Sequence, residues 1–419
     1  MGKIKLLLNK LNLIIHNIIM ASYSVFWKKD DAVVLFGSWF GEKFADNPRY
    51  LFQYLHKNKE KYALKHVVWV TSKPELCDEL KSMGYEIYLM DSQESIEYHK
   101  KAKYHLICNA MNKVYLNDNG RKYYRNPDIN TDYSWRAKKI NLDHGVLPFK
   151  GVGSASLESK RSHGNSVLKI SRFLKQNFLY RKFAIYNGGW GDCYIVYNTI
   201  ENLKTRKLYY DLPEECFFED GYPRLNIADP ELTKDEKKVL ELMDQYKKVI
   251  LYLPTFRTGT STFDFNEASV GLSEYLEKNN ILWIQKAHSA ANIEISQTEK
   301  NDNILTLPSD FDTNTIIPLI TLMVSDYSSV IGDAIAYYKP LVFYIPDFDE
   351  YKNGERGFVR DPEEMMCGPT AKTISELKEV LEQVLNTDFK PDEKYLNLRE
   401  KYIGRSWSMH EIWTRILEK

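Results

Sequence analysis

Short apolar runs alternate with amphipathic stretches along most of the chain from residue 32 onward. In the first half, strands are predicted at AVVLFG (32–37), HVVWVT (66–71), EIYLM (86–90), YHLICN (104–109) and KKINLDHG (138–145). Strands that are apolar almost throughout, with helical patterns between them, are typical of a parallel sheet covered on both faces. The pattern therefore predicts a doubly wound α/β domain in this half.

A second series of strands follows a region of weak periodicity, in which GVGSASLESKRSHGNS predicts a polar, mobile loop. Its runs are CYIVYN, CFFEDGYPR, KVILYLPTFR (248–257), ILWIQKAHS, NILTLP, LITLMVSDYSS and PLVFYIP. Two doubly wound halves hold a ligand at the carboxyl ends of their strands, in the cleft between them. The predicted fold class is α/β of the GT-B type, with Rossmann-like domains at 31–198 and 199–390 and C-terminal helices at 391–419. The last helix is expected to be capped at Ser406 or Ser408.

The N-terminal residues 1–30 predict an amphipathic helix. Its apolar positions recur at helical spacing and are Ile4, Leu7, Leu8, Leu11, Ile14, Ile15, Ile18 and Ile19. Lys10, Asn12 and His16 interrupt the apolar centre that a secretory signal or a membrane span requires. A helix that lies peripherally on the anionic cytoplasmic face of the cell membrane is the favoured interpretation. The alternative is a helix that packs on its own domain.

Composition narrows the class of protein. Because 57 basic residues balance 57 acidic ones, no global field recruits nucleic acid, and no nucleic-acid partner is expected. The five cysteines are scattered and form no CxxC pair. This spacing favours a reducing compartment and argues against a disulfide framework or a zinc site.

The first candidate site is SDYSS (325–329), which follows an apolar run and precedes the helical pattern VIGDAIAYY. Free backbone N–H groups at a helix start bind phosphate, and the hydroxyls of Ser328 and Ser329 add donors. Simple capping of the helix by Ser or Asp is an equally good explanation of this pattern alone.

Two further motifs place polar groups after apolar runs. LYLPTFR ends in Thr255 and Arg257, and a guanidinium grips a diphosphate in bidentate fashion. A surface arginine in a loop is the alternative. GYPRLN places Arg224 after a tight turn, for which turn chemistry is a sufficient explanation. The aromatic residues of WFGEKF are candidates for part of an acceptor surface.

Two histidines follow predicted strands in different halves. IQKAHS contains Lys286 and His288, and NLDHGVLPFKG contains Asp143, His144 and Lys150. A single histidine is more often structural than catalytic. Two of them in facing halves favour a catalytic interpretation, because closure of the cleft brings both to one substrate.

The motifs, taken in order, resemble those of the CDP-glycerol glycerophosphotransferase family, the polymerases and primases of teichoic acids and related capsule polysaccharides. The matching segments are GSWFGEKFADNPRYLFQYL, DHGVLPFKGVG, GYPR, ILYLPTFR, KAHS, FDTNTIIPLITLMVSDYSSVIGDAIAYYKPLVFYIPDFDEY, RGF and GP. The resemblance extends from about residue 33 to 370. Each motif is weak alone, but their ordered succession is specific.

The resemblance implies a transferase in which an acceptor hydroxyl attacks the β-phosphorus of CDP-glycerol and CMP leaves. It assigns His144 as the general base, oriented by Asp143, and gives His288 and Arg257 the task of neutralising charge on the diphosphate. The candidate donor-binding residues are Arg224, Thr255, Arg257, Lys286, Ser325, Asp326, Ser328, Ser329 and Asp333. The sequence shows no metal cluster, and a requirement for Mg²⁺ stays open.

The chain also departs from the family pattern. Asp143 stands where an aromatic residue is usual, and Val146-Leu147-Pro148 replaces Thr-Pro. Ser289 replaces a proline, and Asn226 an acidic residue. A CDP-linked donor is therefore better supported than any particular acceptor. The donor can be CDP-ribitol in place of CDP-glycerol. The acceptor can be lipid-linked or a polysaccharide. The alternatives are a glycosyltransferase that uses a nucleotide sugar and a non-catalytic membrane protein that binds precursors.

Overall fold

The computed structural model describes most of the chain. The described residues are 2–108, 113–116, 122–125, 128–151, 155, 169–185, 193–227, 229–255, 257, 264, 266–286, 296–297, 302–353 and 357–419. Two of the sequence predictions, His288 and nearly all of the loop at GVGSASLESKRSHGNS, lie outside these residues.

The strands of the first half form a parallel sheet and a separate hairpin. They are β1 (Asp30–Phe36), β2 (His66–Thr71), β3 (Glu86–Leu89), β4 (Ala102–Ile107), β5 (Lys113–Leu116), β6 (Lys122–Arg125), β7 (Lys138–Asn141), β8 (Cys193–Tyr197) and β9 (Phe217–Glu219). Within the described residues the sheet has the order β3-β2-β1-β4-β7-β8-β9, and β5 pairs with β6 alone. All neighbours in this sheet run parallel.

The strands of the second half form another sheet. They are β10 (Lys248–Leu253), β11 (Ile281–Lys286), β12 (Ser296–Gln297), β13 (Ile304–Leu307), β14 (Leu322–Ser325), β15 (Leu341–Tyr344) and β16 (Thr370–Ala371). The order over the described residues is β12-β13-β11-β10-β14-β15-β16, and only the short edge strand β12 runs antiparallel to its neighbour.

Helices cover both sheets. They are α1 (Gly2–Ser24), α2 (Asp46–Lys57), α3 (Pro74–Ser82), α4 (Gln93–Lys101), α5 (Ile200–Tyr210), α6 (Lys234–Met243), α7 (Glu267–Gly271), α8 (Ser273–Lys278), α9 (Ile331–Ala336), α10 (Phe348–Asn353), α11 (Pro362–Met365), α12 (Ile374–Leu385), α13 (Glu393–Leu398) and α14 (Met409–Leu417). Residues 169–176 are also helical. The last helix begins after Ser408, which forms a capping box with Glu411.

The apolar runs explain why helices must cover both faces of each sheet. Successive side chains of a strand point to opposite faces. In β1, Val34 and Phe36 pack in one core cluster, while Val33 and Leu35 pack in another. All four side chains are buried, so neither face of the strand meets water. The predicted α/β fold with two parallel sheets is confirmed.

The first sheet extends beyond the predicted domain boundary at residues 198 and 199. The strand β9 pairs in parallel with β8, with Ile195 opposite Phe217. The change from one sheet to the other therefore comes after Glu219. A strand of only three residues gives too little periodicity to assign it to a sheet from sequence.

The helix α1 docks on the first half through its polar side. His16 Nε2 lies 3.1 Å from Asp132 Oδ1, and the buried Asn17 donates its amide to the carbonyl oxygen of Phe183 at 3.0 Å. On its other side, Leu11 and Ile18 are each about half exposed. No helix in the described part of the chain has the length and apolar character needed to cross a bilayer.

A buried ion network joins α2 to the second half. Arg49 binds both carboxylate oxygens of Glu236 at 2.5 and 2.8 Å and lies 3.5 Å from Asp312. The hydroxyl of Tyr50 donates to the same Asp312 at 2.9 Å. These side chains are buried, so each charge depends on its partner rather than on water.

We expect Arg49→Met to lower the free energy of unfolding by about 3–5 kcal/mol, because it leaves two buried carboxylates without their cation. Lys238→Met on α6 is the matched control: it removes an exposed lysine paired with Asp235, and its effect should be below about 1 kcal/mol. Urea denaturation measures both. Equal effects of the two substitutions would contradict a stabilising role for the network.

Candidate active site

A carboxylate-stabilised turn after β7 carries His144. The amide of Asp143 donates to the Asn141 side chain at 2.9 Å, and the amide of His144 donates to Asp143 Oδ1 at 2.6 Å. Asp143 has a φ of 56°, a left-handed conformation that Asp tolerates better than most residues because its side chain bonds to nearby amides. The turn directs the chain sharply away from the sheet.

The ring of His144 is oriented by a backbone carbonyl. Its Nδ1 lies 3.0 Å from the carbonyl oxygen of Cys108, whereas the distance to Asp143 Oδ1 is 3.7 Å, too long for a hydrogen bond. Because a carbonyl only accepts, Nδ1 carries the hydrogen and the neutral ring keeps its lone pair on Nε2. The ring of Trp39 packs on the imidazole with a centroid separation of 4.9 Å.

The His144 turn contacts the SDYSS segment of the other half. A β-carbon placed on Gly145 would lie 3.3 Å from Ser329 Oγ, and one placed on Gly332 would lie 3.3 Å from Val146. A β-carbon at either position would require its neighbour across the cleft to move by a few tenths of an ångström. The structure thus brings two predicted parts of the site, one from each half, to the same place.

Asp326 links two strand ends on the second half's side of the cleft. Its carboxylate accepts the amide of Thr255 at 2.8 and 2.9 Å and pairs with Arg257 Nη1 at 2.8 Å. The neighbouring Ser325 donates its hydroxyl to the carbonyl oxygen of Leu253 at 2.6 Å. Asp326 and Ser325 are both buried and tie the end of β14 to the end of β10.

Arg257 is held by two carboxylates. Besides Asp326, it contacts Asp347 at 2.6 Å through Nε, and its guanidinium lies over the ring of Tyr351 at 4.9 Å. Burial alone would lower the pKa of Arg257, but the charges of Asp326 and Asp347 raise it above its ordinary value. The guanidinium is therefore a fixed, permanently charged group.

Ser328 and Ser329 lie half-buried before a very short helix. The helix α9 begins at Ile331 and has six residues. The amides of Ile331 and Gly332 already donate to the carbonyl oxygens of Ser328 and Ser329, at 3.4 and 3.1 Å. The hydroxyls of the two serines, rather than a long helix dipole, are thus the main polar groups that this segment presents.

Arg224 and Asp333 belong to a buried network between the halves. Arg224 Nε lies 2.6 Å from Asp333, and its Nη1 lies 2.5 Å from Asp46. The backbone amide of Arg224 donates to the Asn47 side chain at 3.0 Å. These charged side chains are almost fully buried, and they hold α2 against α9.

Two lysines, Lys286 and Lys43, lie beside the cleft. Lys286 donates to the carbonyl oxygen of Phe311 at 2.5 Å, and Lys43 donates to that of Ser309 at 2.6 Å. Burial lowers the pKa of Lys286 to about 7, and the positive charge of Lys43 adds to this shift. Burial also lowers the pKa of Lys43, which lies 5.1 Å from the Trp39 ring. An anion between them would relieve this repulsion.

Comparison with known proteins now defines the family. The model of the family described as CDP-Glycerol:Poly(glycerophosphate) glycerophosphotransferase matches residues 19–406. The chain belongs to this family. The resemblance inferred from the ordered motifs is confirmed, and the chain is an enzyme of the glycerophosphotransferase type.

Some relatives in this family align with most of the chain, and others align with about half of it. The teichoic acid poly(glycerol phosphate) polymerase of Bacillus spizizenii is 23% identical over 385 residues, which cover 89% of this chain and 88% of that one. The teichoic acid ribitol-phosphate polymerase TarL of Staphylococcus aureus is 29% identical over 211 residues, 47% of this chain and 36% of that one. A solved structure of the wall teichoic acid polymerase TagF covers 100% of this chain and 97% of its own, with a TM-score of 0.65 and 20% identity. That likeness confirms the GT-B-type fold.

Several residues of the candidate site have no clear signal in the sequence. Lys43 and Trp39 belong to WFGEKF, a segment whose pattern indicates only aromatic residues of an acceptor surface. Cys108 contributes a backbone carbonyl, which has no sequence signal. In the described part of the chain, no group of three or more His, Cys, Asp or Glu side chains is arranged to hold a metal ion.

Proposed function

We propose that the enzyme transfers an alditol phosphate from a CDP-alditol to an acceptor hydroxyl. The acceptor oxygen bonds to the β-phosphorus of the donor, the bond from that phosphorus to the bridging oxygen breaks, and CMP leaves with the electron pair. The product is a phosphodiester. The observation that supports this proposal is the proximity of the His144 turn to Ser329, because it would bring the proposed base close to the proposed phosphate-binding segment.

In this proposal His144 Nε2 receives the proton of the acceptor hydroxyl. The hydrogen bond from Nδ1 to the Cys108 carbonyl supports this role, since it leaves Nε2 as the basic nitrogen. Asp143 supports the turn through its backbone contacts rather than through the ring. Trp39 packs on the ring and limits its rotation.

The donor diphosphate is assigned to the other side of the cleft. Ser328 and Ser329 offer hydroxyl donors, and Arg257, held by Asp326, offers fixed positive charge. Lys286 has a pKa near 7, so it gains a proton when a phosphate binds beside it. In this proposal His288 neutralises negative charge on the diphosphate as CMP leaves. Thr255 is buried, its carbonyl oxygen accepts from Arg257 Nη1, and its hydroxyl has no hydrogen-bond partner among the described residues.

The donor class is a CDP-alditol, with CDP-glycerol as the first candidate. The family description supports glycerol, whereas ribitol-phosphate polymerases among the relatives keep CDP-ribitol as the second. The proposed acceptor is the hydroxyl end of a teichoic acid or capsule polymer, presented on a lipid-linked or oligosaccharide carrier.

We also propose that the enzyme lies peripherally on an anionic membrane surface. Two helical segments support this: each docks by polar side chains and leaves apolar ones exposed. In 169–176, Arg172 contacts Asp211 at 2.8 Å and Lys175 donates to Tyr210, while Phe173 is 77% exposed. An exposed apolar surface of this kind marks a site of membrane or protein contact.

The reaction is tested by following nucleotide release from CDP-glycerol, CDP-ribitol and several UDP- and GDP-sugars, each with lipid-linked or oligosaccharide acceptors. We expect acceptor-dependent release of CMP from one of the two CDP-alditols. Release of UDP or GDP without CMP would favour a glycosyltransferase and reject the proposal. Binding of precursors with no turnover would favour a non-catalytic protein.

The role of His144 is tested by His144→Ala. We expect transfer to fall by about 10²–10⁴-fold, the usual contribution of a general base, while the Kd for CDP stays unchanged. His66→Ala is the control, because His66 pairs with Glu86 in the first sheet, outside the cleft. Full activity of His144→Ala would remove His144 from the proposed role.

Membrane contact is tested by flotation with vesicles that contain anionic lipid. We expect Ile15→Asp and Phe173→Asp each to lower the bound fraction of protein. Ile15 is exposed on α1, and Phe173 is exposed on the helical segment 169–176. Asn12→Asp adds the same charge at an exposed polar position of α1 and should have a smaller effect. If the apolar variants instead change only the oligomeric state in the absence of lipid, the surface is a protein interface.

A further inference from the structure

Arg206 on α5 contacts both neighbours of His144 in the chain. Its Nε lies 2.7 Å from Asp143 Oδ2, and its Nη2 donates to the carbonyl oxygen of Gly145. The same Nη2 lies 3.3 Å from the hydroxyl of Tyr222. One guanidinium therefore bridges the residue before His144 and the residue after it.

The ion pair in this bridge is buried. The side chains of Arg206 and Asp143 are each 4% exposed. Burial alone would lower the pKa of Arg206, but the Asp143 carboxylate raises it above its ordinary value, so the guanidinium stays charged. Tyr210, also on α5, places its hydroxyl 3.4 Å from Asp143 Oδ2. A buried ion pair of this kind has little freedom to rearrange.

We propose that Arg206 is a positioning residue for His144. It holds the Asp143 carboxylate and the Gly145 carbonyl at fixed points, and so fixes the imidazole between them. Because Gly145 lies directly against Ser329, the same contacts set the distance between the base and the donor side of the cleft. The effect on catalysis rests on the proposed role of His144.

Arg206→Lys is the decisive variant. A lysine keeps the positive charge beside Asp143. Its compact ammonium lacks the planar shape with which the guanidinium contacts the Asp143 carboxylate and the Gly145 carbonyl at the same time. Arg181→Lys is the matched control: Arg181 is equally buried in the same half, pairs with Glu215 and donates to the carbonyl oxygens of Lys175 and Gln176. A second variant, Asp143→Asn with Arg206→Gln, removes both charges and leaves neither buried alone.

We expect Arg206→Lys to lower kcat by up to about 100-fold, the effect of a small misplacement of a catalytic group. The KM for the CDP-alditol should stay unchanged, because the donor-binding residues lie on the other half. The control Arg181→Lys should keep the kcat of the parent enzyme. Thermal unfolding of each variant shows whether a loss of kcat reflects a loss of folded protein.

A readout that does not depend on activity separates this proposal from the proposed function. In protein with ¹³C-labelled histidine, the ring signal of His144 is identified by its absence in His144→Ala. We expect that signal to shift or broaden in Arg206→Lys and to stay unchanged in Arg181→Lys. If His144→Ala is fully active, the base assignment fails, but the ring signal still tests the positioning.

The proposal is overturned if Arg206→Lys keeps both the His144 ring signal and the kcat of the parent enzyme. If Arg206→Lys fails to fold, the double variant decides. A parental kcat and ring signal in the folded double variant would overturn the proposal, and a lowered kcat with an altered ring signal would support it.

Discussion

The contact of Arg224 with Asp46 and Asp333 is the interaction on which the rest of the site depends. It joins α2 of the first half to α9 of the second, at distances of 2.5 and 2.6 Å, and all three side chains are buried. Buried charges require partners at fixed positions, because no solvent is present to replace a lost contact. This network fixes how α2 packs against α9, and in this packing a β-carbon placed on Gly145 would lie 3.3 Å from Ser329 Oγ.

The cations of the cleft fall into two kinds. Arg257 is held by Asp326 and Asp347 and keeps its charge whether or not a ligand is present. Burial lowers the pKa values of Lys286 and Lys43. Lys286 donates to the carbonyl oxygen of Phe311, and Lys43 donates to that of Ser309. Under the proposed function, the first kind would give a rigid framework for a diphosphate, and the second would respond to the arrival of negative charge.

The sequence predicted the strands and helices well, because buried parallel strands and amphipathic helices leave strong periodic signals. It yielded candidate site residues but not the partners that those residues have in the structure. Arg224 and Asp333 were expected to bind the donor, yet they pair with each other across 109 positions of sequence, a contact with no local signal. The sequence gives no signal for Arg206, because IENLKTRKLYY has the pattern of an ordinary charged helix. It gives none for the Cys108 carbonyl either, because every residue has a backbone carbonyl.

A structure of the enzyme with CDP bound tests the central claim most directly, since it locates the diphosphate relative to both halves. The account predicts that the β-phosphate lies between the Ser329 hydroxyl and the imidazole of His144, with Nε2 directed toward it. A diphosphate bound outside the cleft between the two sheets, or an imidazole turned away from it, would contradict the account.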